Sequence, residues 1–144
     1  MFRQLTDTIF VSPQIEVGDV AQAAAQGIAL IINNRPEDES PDQTAGAEIE
    51  AAARAAGLGY IAIPVTHAGF SEGQVQAMVQ ALAETGDRPI LAYCRSGTRS
   101  TLLWALAEAS KGSNPQRLAA QAAQAGYDIS PVRAMVDMLA AGHP

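Results

Sequence analysis

A chain of 144 residues, 48% apolar and 17% charged, is long enough for one domain with a substantial core. Its formal charge of -6 argues against nucleic acid as a partner, because neutralising phosphates needs a surplus of Lys and Arg. It contains no run of about 18 apolar residues, so neither a membrane span nor a membrane partner is expected. The layout of residues 2–7 is not that of a signal peptide, and one cysteine cannot close an internal disulfide, which fits a reducing, cytoplasmic setting.

Residues 8–12 read as a first short strand, and 18–26 as an Ala-rich helix that Gly27 is placed to end. The continuous apolar run 28–32 is expected of a strand covered on both faces. It stops at Asn33, Asn34, Arg35 and Pro36, and an acidic, Pro-bounded loop follows through 37–42. From Thr44 the positions Ala45, Ile49, Ala52, Ala53 and Ala56 recur at helical spacing, with Gly57 as the stop. Residues 59–63 give the next strand, closed by Pro64. Ser71 reads as an N-cap, and Gln74 three residues on completes a capping box. Val75, Met78, Val79 and Leu82 mark one helical face before Gly86 and Asp87 turn the chain into the strand 89–93. The next helix carries Leu102, Leu103, Trp104, Ala105 and Leu106 without a polar break, which places it at the centre of the domain. A C-terminal helical pair completes the chain, with Pro115 and Pro131 at first-turn positions, the second behind a capping Ser130. His143 is tail.

This alternation predicts one α/β domain over 1–144 with a mainly parallel sheet flanked by helices. Ligands of such sheets gather outside the carboxyl ends of the strands. Three segments are expected there: the loop after 89–93, Asn33 to Arg35, and 66–70 with His67.

The first of these carries the chemistry. Cys94, Arg95, Ser96, Gly97, Thr98, Arg99 and Ser100 lie between a buried strand and a helix, so the only thiol of the chain opens a tight loop at a helix N-terminus. Backbone N–H groups of such a loop, the helix dipole and two arginines favour an anion and a nucleophilic thiolate. Cys94 and Arg99 are the catalytic candidates. Arg95, Ser96, Gly97 and Thr98 line the loop as substrate-binding candidates, and Ser100 is placed to donate a hydrogen bond to the Cys94 sulfur. Asn34, Arg35 and His67 are further candidates for substrate contact, although turn formation before Pro36 accounts for Asn34 and Arg35 as well. With no His-rich or Cys-rich cluster, no metal and no cofactor is expected.

The run from Tyr93 to Ser100 resembles the active-site loop of single-domain rhodaneses, sulfurtransferases that carry sulfur as a cysteine persulfide. The wider chain is similar to a bacterial domain family called beta-lactamase hydrolase-like, phosphatase-like. The resemblance lies in Ile31, Ile32, Asn33, Asn34, Arg35 and Pro36, in Ile63, Pro64 and Val65 leading to Gly69, Phe70 and Ser71, and in Ala125, Gly126, Tyr127 and Asp128. It implies a four- or five-stranded sheet with flanking helices and a dual-specificity-phosphatase-like fold. It also implies a persulfide dioxygenase as a possible partner, since the domain occurs fused to one.

The two resemblances differ in chemistry. Cysteine phosphatases have five residues between Cys and Arg, and here only four separate Cys94 from Arg99. A shorter loop makes a tighter cradle, suited to one terminal sulfur rather than a phosphoryl group. A phosphatase also wants a general acid on the loop after the preceding strand, and 66–71 has no carboxylate. The leading expectation is therefore a sulfurtransferase taking a small sulfur donor or other anionic substrate. The alternatives are a cysteine-dependent tyrosine- or dual-specificity-type phosphatase, and a non-catalytic module that binds an anion or a partner.

Overall fold

A computed structural model describes residues 2–142; His143, read as tail, lies outside them. One sheet is built from β1 (Arg3–Gln4), β2 (Ile9–Ser12), β3 (Leu30–Asn33), β4 (Gly59–Ala62) and β5 (Ile90–Tyr93). Helices α1 (Val17–Ala25), α2 (Gly46–Ala55) and α3 (Glu72–Thr85) connect the strands, and α4 (Thr98–Ser110), α5 (Pro115–Gln124) and α6 (Arg133–Ala141) follow β5. The strand order is β1-β2-β5-β3-β4, with β1 antiparallel to β2 and the other pairs parallel. The fold is thus α/β with a five-stranded, mostly parallel sheet. The fifth strand is β1, two exposed residues at the edge, too short and polar to show a period in the sequence.

Side chains alternate across the sheet as a period of two requires. Ile31, Leu91 and Tyr93 pack against Val20, Ala23, Ile49 and Ala53 of α1 and α2. Ile32, Ile90 and Ala92 point the other way, into a larger core shared with α3 to α6. Within it α4 is buried continuously from Ser100 to Ala107, and Trp104 is fully enclosed, as a helix apolar on every side demands.

The caps are local. Ser71 Oγ accepts the Gln74 N–H at 3.2 Å while Gln74 Oε1 accepts the Ser71 N–H at 2.8 Å, the reciprocal box its spacing predicts. The last helix differs from expectation. Ser130 and Pro131 form a short 3-10 turn, Ser130–Val132, and α6 begins only at Arg133. Asp128 is the side chain that organises this turn, accepting the Ser130 N–H at 2.9 Å. An Asp accepting the N–H two residues on closes an Asx turn, and the Ser130 hydroxyl donates to the same carboxylate instead of capping a helix.

All four parallel strands end in one row, Ser12, Tyr93, Asn33 and Ala62 being register partners. Whatever follows them therefore emerges on one rim.

Candidate active site

Cys94 is the first residue past the central strand of that row, and its N–H donates to Ser12 O at 3.3 Å. Its neighbour Asn34, past β3, donates from its backbone N–H to Tyr93 O at 2.8 Å. Val65, past β4, donates to Asn34 O at 2.9 Å. Two of the segments expected on the rim, the cysteine loop and Asn34, are tied there by backbone hydrogen bonds, and the third, 66–70, follows directly from Val65.

Cys94 is buried at the floor of the loop, and Sγ accepts the Gly97 N–H at 3.0 Å. Gly97 has φ 92 and forms the N-cap of α4, whose first turn follows at Thr98. Glycine is required here on two counts: the left-handed φ, and a β-carbon that would lie 2.1 Å from the Tyr127 hydroxyl. Ser96 and Thr98 are joined by their hydroxyls at 3.0 Å, and Ser96 Oγ also accepts the Thr98 N–H at 3.3 Å. The backbone N–H groups of Arg95, Ser96, Arg99 and Ser100 have no acceptor among the described residues. Four free donors at a helix N-terminus, beside a sulfur, constitute an anion cradle.

Arg99 is anchored from outside the loop. Its Nη1 donates to Glu39 Oε2 at 2.7 Å and to Val65 O at 2.6 Å, and Nη2 donates to Glu39 Oε1 at 2.9 Å. A guanidinium has five N–H groups; these contacts use three. The remaining two, the Nε–H and the second Nη2–H, share one edge of the plane and form a parallel two-donor fork. Hydrogen bonding to Glu39 is the main influence holding the Arg99 guanidinium above its ordinary range; burial opposes it, and the adjacent Cys94 sulfur adds to it.

Glu39 is the residue that sequence reasoning passed over. It sits in the acidic loop after β3 and also accepts Arg35 Nε at 2.9 Å, so one carboxylate serves two arginines. The hydrogen bond from Arg99 lowers its carboxyl to about 2, with Arg35 contributing and burial opposing. The clue was present as an Arg35 and Glu39 four apart within a loop fenced by Pro36 and Pro41.

One expected contact, from Ser100 to the sulfur, is absent among the described residues, and the other candidates are held by their own neighbours or stand exposed. Arg35 is buried, and each of its three nitrogens donates once, to Glu39, to Gln14 Oε1 at 3.0 Å and to Ser40 Oγ at 3.2 Å, so it braces the loop. Asn34 is completely buried and donates its amide to Ile63 O at 2.9 Å, fastening β3 to the end of β4. Ser100 does not donate to the sulfur: its hydroxyl is buried in the first turn of α4 and has no partner among the described residues. His67 stands exposed in a turn closed by the Ala68 N–H on Thr66 Oγ1 at 3.1 Å, and bonds to none of the groups above. Arg95 is exposed, and its charge reaches Asp42, whose carboxyl is held below its usual range first by the Ser40 hydroxyl.

Comparison with known proteins bears on the family and the fold. The family model described as "Beta-lactamase hydrolase-like protein, phosphatase-like domain" matches residues 1–111. A beta-lactamase hydrolase-like protein of Agrobacterium fabrum is 35% identical over 109 residues, 76% of this chain and 25% of that protein. The chain thus spans about a quarter of the length of the curated relatives it matches. A crystal structure from Neisseria meningitidis, described provisionally as a phosphatase, is 33% identical, with a TM-score of 0.81 over 95% of this chain and 96% of that one. Tk-PTP in its active form has a TM-score of 0.76 over 98% and 97%; at 14% identity that likeness is one of fold.

Proposed function

Since the chain belongs to the beta-lactamase hydrolase-like, phosphatase-like domain family, we propose that it is a cysteine-dependent phosphohydrolase. The observation that carries this reading is the orientation of Arg99. With Glu39 and Val65 taking three of its N–H groups, the guanidinium next to Cys94 keeps a two-donor edge, and two parallel donors match two oxygens of a phosphoryl group. A single terminal sulfur would use only one of them. The unbonded N–H groups of the loop supply the donors for the charge that builds up in transfer.

The reaction balances in two steps. The Cys94 thiolate forms a bond to phosphorus as the ester P–O bond breaks, and the electron pair leaves on the alcohol oxygen. Water then attacks phosphorus, the S–P bond breaks, and thiolate and inorganic phosphate result. Because 66–71 offers no carboxylate to protonate the leaving oxygen, the proton comes from solvent. The preferred substrates are small phosphoesters with acidic leaving groups, aryl rather than alkyl, and the reducing setting suggested by the lone cysteine is cytoplasmic. No helix of the described residues is long and apolar enough to cross a membrane.

The second reading is sulfur transfer, favoured by the four-residue spacing between Cys94 and Arg99. There the thiolate attacks the sulfane sulfur of a donor such as thiosulfate, sulfite leaves, and the persulfide passes its outer sulfur to an acceptor thiolate. In that reading a persulfide dioxygenase is the natural partner.

One comparison separates them. An aryl phosphate and thiosulfate are offered in parallel to the wild type and to Cys94→Ser, with intact mass read alongside turnover. The expected result is Cys94-dependent phosphate release, with aryl substrate exceeding alkyl by about 10²–10⁴, the worth of the missing acid. Persulfide formation, a gain of ~32 Da, without any phosphate release makes sulfur transfer the correct reading.

A further inference from the structure

The peptide unit between Ser96 and Gly97 is held at both ends. Its N–H donates to Cys94 Sγ at 3.0 Å, and its carbonyl oxygen accepts the Tyr127 hydroxyl at 2.9 Å. Gly97 takes φ 92, and glycine visits both signs of φ with similar ease. Rotation of this one plane, taken up by ψ of Ser96 and φ of Gly97, would turn a carbonyl oxygen toward the sulfur in place of the N–H. A carbonyl dipole aimed at a thiolate or a bound oxyanion repels it, whereas the N–H attracts it. Residue 97 has to be glycine, because a β-carbon there would lie 2.1 Å from the Tyr127 hydroxyl. The residue that allows the loop also leaves it free to invert.

Tyr127 is itself well placed. The Arg3 guanidinium lies 5.1 Å above its ring and donates to Ala125 O at 3.2 Å. Burial pushes its phenol up, so the hydroxyl stays a donor at neutral pH. It lies beyond the residues 1–111 matched by the family model, on the connection between α5 and α6.

We propose that Tyr127 is a positioning residue: it locks the Ser96–Gly97 peptide with its N–H toward Cys94, and thereby sets the affinity of the loop for oxyanions. This rests on the reading of the loop as an oxyanion cradle. Tyr127 acts through the peptide, because its hydroxyl donates to Ser96 O rather than to the sulfur.

The test is Tyr127→Phe, which keeps the ring and removes the one O–H. In amide NMR spectra without any anion, the Gly97 resonance is expected to shift or double relative to wild type and to exchange about tenfold faster with solvent. Titration with inorganic phosphate should show binding weaker by about threefold to tenfold, the worth of one neutral hydrogen bond. A Gly97 amide unchanged in position and exchange, with phosphate affinity within twofold of wild type, overturns the proposal. If neither protein binds phosphate, the cradle reading and the affinity half of this proposal fall together, and the anion-free Gly97 amide still decides whether Tyr127 holds the peptide. Should Tyr127→Phe not fold, Arg3→Gln loosens the ring from its exposed side. The same amide shift in smaller measure supports the lock, and an unaltered amide there overturns it.

Discussion

At Glu39 one carboxylate accepts three guanidinium hydrogen bonds, two from Arg99 and one from Arg35, and these set both the geometry and the charge of the site. Glu39→Gln keeps the shape but removes the charge and one acceptor, so Arg99 keeps Val65 O and loses the two-oxygen part of its anchor. A displacement of about 1 Å in a positioning group costs about a hundredfold in rate, and a fall in kcat/KM of that order on an aryl phosphate is expected. Stability follows with a definite sign. The folded carboxyl is depressed from 4.5 to about 2, so its contribution is present above 4.5 and is lost as pH falls through about 2. Urea melts at pH 6, 4 and 3 should show the wild type losing more stability than Glu39→Gln across that window. At this scale the sequence was legible for the loop and opaque for its supports. Cysteine, glycine and arginine announce themselves by spacing. Which of four neighbouring acids meets Arg99 is settled by a contact sixty positions away. Asn34 stands beside the end of β5, yet its amide N–H turns to Ile63 O, and the buried Arg35 guanidinium turns to Glu39, Gln14 and Ser40.

Helix α4 both carries the anion-binding end of the loop and fills the core, and the two roles pull on one element. Its N-cap is a glycine with no capping side chain, so its first turn is held mainly by what lies behind it. Trp104 is the largest of those anchors, fully enclosed within the core shared with α3 to α6. Trp104→Ala should cost ~3–5 kcal/mol, read as a drop in the urea midpoint at pH 7. The indole N–H has no partner among the described residues, so Trp104→Leu loses packing without orphaning an acceptor and should be milder. By contrast Ser71→Ala removes a cap on the exposed start of α3 and should cost about 1 kcal/mol by the same measurement. Elements with a local signature were readable. The capping box at Ser71 and the unbroken apolar face of α4 each state their role within a few residues. Ser130 carried an equally plausible cap signal, but its hydroxyl and its N–H both donate back to Asp128, so it caps no helix. Strand β1 had no local signal, because two exposed residues become a strand only by lying against β2.

Across the whole molecule the sheet divides the chemistry from the scaffold. One rim gathers the ends of β2, β3, β4 and β5, and the Cys94 loop and Asn34 stand on it. The strand order was not readable from the chain, since period and composition say which segments pair with some strand and not with which. That order has a temporal consequence. Strand β5 lies between β2 and β3 and is bonded to both, so the earlier strands exist as two separate pairs, β1 with β2 and β3 with β4, until residues 90–93 arrive. A chain growing from its N-terminus has no continuous sheet before that point, and closing it brings Ile90 against both Ile9 and Leu30. Such distant pairings slow folding relative to a helical bundle of this size. In pulse-labelled refolding, the β2 and β3 amides bonded to β5 should gain protection in the same phase as those of β5 itself. The thiol would then acquire its surroundings in the step that completes the sheet, so a half-made chain carries a cysteine with no cradle to act from.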